Sequence, residues 1–456
     1  MLLFRTLTSF QFPIACDGDD QVAGQRIDGQ QFTISANKIT ALVPGWGDVK
    51  ALCAKIQSHD SALKLNGLLN ERLPNLEQLH LERVPAVEED AVHAPSAAPY
   101  TLRAASLPKL QILAVIDSIV SLEMPLCRNL RLLHLEYDDQ KKVDRIPLTR
   151  FLDMLRNCTS LQSLYEYCYI DSRTPKGTPP PVLSLAGHTH LRIIQFLEES
   201  DTLCRILSSL IIPASVDVKA VAIAGEKPVL RDIFPRDLTQ LQVLQRATKV
   251  EVRHTLLDCF LAAHMPGKDR GALTLELFTT DDSEGGPERR RDLHDGTLIH
   301  NMVQSLEIFQ DCPARTLCIG GNLARVSLES WVAAFNRFPN IEELVIEDIQ
   351  DVPLENTLSI LFTALQTVPS HVRPGVVFPR LQTFKLESAI NNTKLLDALR
   401  RCFTQRAALG AQPLSRMKLI LFRVSDEGWA EDKVALFQQE RHTLAKTVEL
   451  KIDYRN

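Results

Sequence analysis

The phrase LPNLEQLHLERVP at residues 73–85 is rewritten along the chain: CRNLRLLHLEYD begins at Cys127, FPNIEELVIEDI at Phe338 and FPRLQTFKLESA at Phe378. In each copy apolar residues spaced as LxxLxL alternate with polar ones, the period-two signature of a strand with one buried face. The alternation predicts that Leu79, Leu81, Leu133, Leu135, Leu344, Ile346, Phe384 and Leu386 point inward, while Gln78, His80 and Glu82 point out. Aligning the anchor residue gives strong copies at Leu76, Leu110, Leu130, Leu161, Leu191, Ile341 and Leu381, and weaker ones at Ile39, Val218, Leu273, Thr316, Met417 and Val448. Between many of them, apolar residues at helical spacing predict amphipathic helices over 148–157, 201–212, 328–338, 358–368 and 394–406.

A short strand–helix unit cannot bury its apolar side alone and needs neighbours of its own kind. The expected fold class is therefore α/β: an irregular leucine-rich repeat solenoid, an arc or horseshoe with parallel strands on the concave face and helices on the convex face. The expected division is an N-terminal segment, 1–38, followed by a repeat domain over 39–455. Residues 86–106, 138–147, 171–181 and 279–296 read as exposed insertions after a strand, whereas 369–379 and 407–413 follow helices. The pattern is faintest over 216–271, which is carried as further repeats.

Composition changes this picture little. The 456 residues are 45% apolar and 23% charged, the balance of a soluble chain with an ample core. A net charge of -5, a pI near 6.2 and the absence of a basic stripe argue against nucleic acid as a partner. The longest apolar region, 206–225, is broken by Pro213, Asp217 and Lys219, so no membrane span is expected. The apolar start is too short, and broken by Arg5, for a secretory signal. The ten cysteines have no zinc-ligand spacing and read as reduced core residues of a cytoplasmic or nuclear protein.

The phrase LPNLEQLHLERV, its copies LPKLQILAV, CRNLRLLHLEYD, FPNIEELVIEDI and FPRLQTFKLES, and the piece FLDMLRNCTSLQSLY resemble the leucine-rich portion of fungal F-box proteins. That resemblance covers most of the chain. It implies the substrate-recognition part of an F-box-type subunit of a cullin ubiquitin ligase, whose F-box docks a Skp-type adaptor while the repeats choose the substrate. Residues 1–38 show strand-like and polar stretches rather than the helical F-box module, so no adaptor-binding residue carries over. The chain as written is not expected to bind the adaptor.

Candidate chemistry is sparse. His188-Thr-His190 has two-ligand spacing but precedes the anchor Leu191, with no third ligand nearby in sequence. Gly267–Gly271 lacks the phosphate-loop frame, and the run Glu288–Asp292 reads as a solvated loop. No GxSxG elbow or Ser, His and Asp set emerges, so no catalytic residue, metal or cofactor is expected. One pattern stands out: strand copies end in Glu82, Glu136, Glu347 and Glu387, with Glu276 near the same place. These would share the outward face with Gln78, His80, His134, Tyr165, Gln195, Glu343, Val345 and Lys385, and with Tyr167 nearby. The set is a candidate face for a protein partner carrying Lys or Arg, with Tyr165 and Tyr167 as anchors. The glutamates are expected to be exposed and unpaired, in two acidic patches; the plainer alternative is a row of ordinary solvated charges. The expected function is a binding scaffold. The alternatives are a repeat-only scaffold or inhibitor unconnected to ubiquitin, and an enzyme with a loop-borne site, for which no motif is visible.

Overall fold

The computed structural model describes residues 21–35, 46–83, 100–137, 145–171, 181–224, 230–254, 258–267, 272–279, 306–309, 311–321, 323, 326–348, 357–366, 376–390, 393–423 and 430–454. The chain forms two units, Met1–Ile212 and Pro213–Asn456.

In the first unit the strands are β1 (Gln21–Arg26), β2 (Gln31–Ser35), β3 (Val49–Ile56), β4 (Gln78–Arg83), β5 (Tyr100–Leu102), β6 (Ile112–Ile116), β7 (Val120–Leu122), β8 (Leu132–Glu136), β9 (Ile146–Pro147), β10 (Ser163–Tyr167), β11 (Ile170–Asp171), β12 (Leu183–Ser184), β13 (Ile193–Glu199) and β14 (Leu210–Ile211). The main sheet runs β2–β1–β3–β4–β6–β8–β10–β13; its first two pairings are antiparallel and the rest parallel. Short parallel pairs β5–β7, β9–β11 and β12–β14 lie in the connections. The β1–β2 hairpin falls within the expected N-terminal segment, yet β1 pairs with β3, so the described part of that segment belongs to the sheet. The weak copy at Ile39 lies outside the described residues. An unforeseen helix, His59–Asn70, follows β3, and the Ser58 hydroxyl caps it by accepting from the Ser61 N–H at 3.1 Å.

The repeated phrase works through its turn as much as its strand. In LPNL the Leu76 N–H donates to the Leu73 carbonyl, and the same bond recurs as Leu110 to Leu107, Leu130 to Cys127, Leu161 to Cys158 and Leu191 to His188. The first residue of each turn is buried, whether Leu, Cys or His. The residue after the anchor then binds the preceding copy: Gln111 N–H to the Glu77 carbonyl, Arg131 to Gln111, Gln162 to Arg131 and Arg192 to Gln162, at 2.7–2.9 Å. Each copy therefore satisfies the backbone of the next one before the strand begins.

In the second unit the strands are β15 (Asp217–Ala224), β16 (Lys249–His254), β17 (Asp258–His264), β18 (Leu273–Thr279), β19 (Thr316–Gly321), β20 (Glu343–Asp348), β21 (Thr383–Ile390), β22 (Leu414–Arg423) and β23 (Ala445–Tyr454). They run β15–β18–β17–β16–β19–β20–β21–β22–β23. Only β16–β17 and β17–β18 are antiparallel. The region carried as simple repeats thus holds a meander: β16 lands away from β15, and the chain returns through β17 to place β18 beside it. The expected helices appear as Leu328–Asn336, Thr357–Gln366 and Lys394–Ala408, and an unforeseen one as Glu431–Leu444.

All eight residues expected to point inward are buried, none more than 1% exposed. Each unit is thus a mixed α/β layer with a mostly parallel sheet. No helix among the described residues is long and apolar enough to cross a membrane.

Candidate partner-binding face

Register places the outward residues of the first unit in three rows. The first is Ala51, Gln78, Ile112, Leu132, Ser163 and Ile193; the second Cys53, His80, Ala114, His134, Tyr165 and Gln195; the third Lys55, Glu82, Ile116, Glu136, Tyr167 and Leu197. Sequence reasoning therefore assigned the correct side of the sheet to Gln78, His80, Glu82, His134, Glu136, Tyr165, Tyr167 and Gln195. Their exposure is another matter. Tyr165 and Tyr167 are buried rather than presented, because each ring packs against His134, at 5.8 and 5.3 Å between centroids, and the Tyr167 hydroxyl donates to Gln195 Oε1 at 3.0 Å. They support the face and do not anchor a partner directly.

The glutamates are matched by cations or imidazoles of the same sheet. Glu82 lies 3.5 Å from Lys55 Nζ, and Glu136 Oε2 lies 3.0 Å from His134 Nε2. Burial, followed by the neighbouring His134 and Lys55, pushes the His80 imidazole down to about 4, so this residue is neutral near pH 7. What the first unit leaves open is a mixed strip: half-buried Ile112, Ile116, Ile193, Gln78 and Gln195, edged by Lys55, Glu82 and Glu136, of which Glu136 is 38% exposed.

The second unit uses the same outward positions for ion pairs. Glu347 is held by Arg253 at 3.2 Å, Glu343 by Lys385 at 2.5 Å, and Glu276 by Lys219 at 3.7 Å. Glu251, absent from the sequence expectations, gathers Lys249, Arg253 and, at 3.6 Å, His264, and its carboxyl is pulled down to about 2, first by the neighbouring His264. Glu387 is exposed beside Glu347 in the register. The expectation of unpaired acidic patches is therefore corrected: cross-strand cations neutralise most of the row, and such pairing is invisible to any reading of one strand at a time.

Two further carboxyls lie on the leucine side. Glu166 and Glu198, on adjacent strands β10 and β13, are fully buried. Glu166 Oε1 accepts from the Tyr169 N–H at 2.9 Å and Glu198 Oε1 from the Ile170 N–H at 3.1 Å, while Arg145 Nη1 stands 4.0 Å from Glu198. Burial first, then the neighbouring carboxylate, raises Glu166 well above the usual range, and burial raises Glu198 to about 7. Both carboxyls are thereby held toward their protonated forms, and through these backbone bonds they brace the turn after β10. The signal for it was a Glu at an inward strand position, in SLYEY and IIQFLEE.

His188 takes the buried first place of its repeat turn and its Nε2 meets the Leu155 carbonyl at 2.9 Å, so the His188-Thr-His190 spacing serves packing. Among the described residues no group of three or more His, Cys, Asp or Glu is placed to hold a metal, and the nine described cysteines are free thiols. The run at 288–292 lies outside the described residues. No protein-family model matches the sequence, and no curated protein matches it.

Proposed function

We propose that the chain is a binding scaffold: an irregular leucine-rich repeat solenoid, arc-shaped, that holds a protein partner on the outward face of the first unit's sheet. The observation that carries this is the contrast between the two outward faces. In the second unit charges meet their counterparts, and burying such pairs under a partner costs their hydration. The first unit carries fewer such pairs, Lys55 with Glu82 and His134 with Glu136, and sets half-buried Ile112, Ile116 and Ile193 beside them, a mix of apolar and polar groups that suits an interface. The partner suited to it presents apolar side chains flanked by Lys or Arg, which would meet Glu136, the more exposed of the two glutamates.

The resemblance to fungal F-box proteins makes substrate recognition for a cullin ubiquitin ligase, in the cytoplasm or nucleus, the setting we propose. In that reading the chain does no chemistry of its own, and an F-box would have to be supplied outside the residues that resemble the repeats. The test is quantitative capture from native extract with the full chain, the face variant Ile112→Asp with Glu136→Lys, and the control Arg156→Glu, which alters an exposed helix residue. A protein held by the wild type and control but lost by the face variant is the expected result. Equal retention by the face variant refutes the site. Submicromolar binding of the purified chain to a Skp-type adaptor overturns the expectation that it lacks an adaptor-docking module.

A further inference from the structure

The buried first place of the repeat turn is filled in successive copies by Leu73, Leu107, Cys127, Cys158 and His188. Two neighbouring copies thus hold a thiol where the earlier ones hold leucine. Cys127 precedes Leu132 by the same interval as Cys158 precedes Ser163, and Leu132 and Ser163 are register partners on the parallel strands β8 and β10. The turns match as well. The Leu130 N–H donates to the Cys127 carbonyl at 3.2 Å, the Leu161 N–H to the Cys158 carbonyl at 3.1 Å, and the Gln162 N–H ties the second copy to the Arg131 carbonyl of the first at 2.7 Å. Neighbouring strands lie about 4.8 Å apart, within the roughly 4.4–6.8 Å between Cα atoms that a disulfide spans. The side chains also meet: the two thiols are hydrogen-bond partners, Cys127 at 2% exposure and Cys158 at 0%.

We propose that Cys127 and Cys158 form a redox-modification site, a dithiol that a low-molecular-weight disulfide oxidises to a covalent link between adjacent repeats. The two sulfurs have unequal roles. The hydrogen bond from Cys158 holds the Cys127 thiol below its ordinary range, while the same bond and burial push Cys158 up, so Cys127 is the attacking group. Its thiolate opens the S–S bond of the small disulfide and releases one thiolate, which takes up the proton that Cys127 lost. Cys158 then attacks the Cys127 sulfur of the mixed disulfide, and its proton leaves with the second small thiol. Two protein thiols are oxidised and one disulfide is reduced to two thiols. Entry is through the turn that covers Cys127. The helix Met124–Cys127 is a single turn with Glu123, Met124, Pro125, Arg128 and Asn129 exposed around it, a segment that opens without unfolding the sheet. The link would sit just ahead of β8 and β10, and so would clamp the strands that carry His134, Glu136, Tyr165 and Tyr167, whatever that face binds.

The test incubates the folded full chain with oxidised glutathione at about pH 8, blocks the remaining thiols and maps the peptides by mass. A Cys127–Cys158 peptide pair lighter by two hydrogens is expected, with the other eight of the ten cysteines still alkylated. Oxidation should raise the urea midpoint of the wild type by about 1 M, because the link constrains the unfolded chain, and dithiothreitol should reverse the rise. Cys127→Ala and Cys158→Ala should show no such rise. Both thiols remaining alkylatable in the folded chain, a link formed only in denaturant, or either cysteine joined instead to a different one overturns the proposal. So does the same midpoint rise in Cys158→Ala.

Discussion

Replacing Glu166 with glutamine should make the protein less sensitive to alkaline pH. In the native state burial holds Glu166 and Glu198 toward their protonated forms inside the core, whereas in the unfolded chain each carboxyl titrates near its ordinary value of 4.5. A folded-state value raised above the unfolded one gives stability that is fully present below pH 4.5 and is lost as pH rises through the folded value. For Glu198, raised to about 7, the difference corresponds to roughly 3 kcal/mol lost between pH 4.5 and 8, with more to follow when Glu166 gives up its proton. In E166Q the new amide would keep the bond from the Tyr169 N–H on its carbonyl oxygen and remove one of the two neighbouring carboxyls, so that Glu198 could ionise beside Arg145. Urea unfolding at half-unit steps from pH 5 to 9, wild type against E166Q, measures the effect. The variant should gain on the wild type by about 2–3 kcal/mol across that range, with exchange at Tyr169 and Ile170 slowing in parallel at pH 8. Parallel stability profiles would refute the coupling of the two carboxyls, and a variant weaker by a constant amount would mean that the carboxyl acts only by shape.

His80 works in the opposite direction. Its folded value near 4 lies below the ordinary 6.5, so stability is lost as pH falls from 6.5 toward 4, by roughly 3 kcal/mol, and His80→Gln should flatten that acid limb when the same titration is carried down to about pH 4. Leu133→Ala removes a side chain with no exposure from the centre of the first sheet and should cost about 2–5 kcal/mol in urea unfolding. Buried Arg406 donates to the carbonyls of Leu365, Val377 and Phe378 at 2.7–3.1 Å; Arg406→Leu orphans all three and should cost about 3 kcal/mol or more, and Arg406→Lys, lacking the planar fork, should recover only part of it.

How much of this could be read from the sequence follows the range of each interaction. The LxxLxL strands and the helices at 148–157 and 394–408 were legible because burial imposes a period of two or 3.6 within a single segment. Strand β3 was missed because VKALCAKI lacks the leading turn that marks the other copies, and helix His59–Asn70 because Gly67 and scattered polar residues blur its apolar stripe. The meander through β16, β17 and β18 was missed for a different reason. KVEVRH and DCFLAAH make adequate strands, but nothing in either says that its neighbour runs antiparallel; only the resulting ladder from Val250–Ala263 to Leu261–Leu275 decides it.

The face itself shows where single-strand reasoning stops. Alternation correctly put Tyr165, His134 and Glu347 on the outward side, because a slip of one residue would have buried charge in place of leucine. It could not say that Tyr165 would be covered by an imidazole from one strand away, or that Glu347 would meet Arg253 from a distant part of the chain. Position on a face is a local property, while exposure and free charge depend on which strands become neighbours. A binding strip on a sheet is therefore better sought where outward positions carry half-buried apolar residues, as at Ile112 and Ile116, than where a motif repeats a charge. The repeated glutamate looked like a shared function; the ion pairs make it a recurrent solution to packing cations on the same open face.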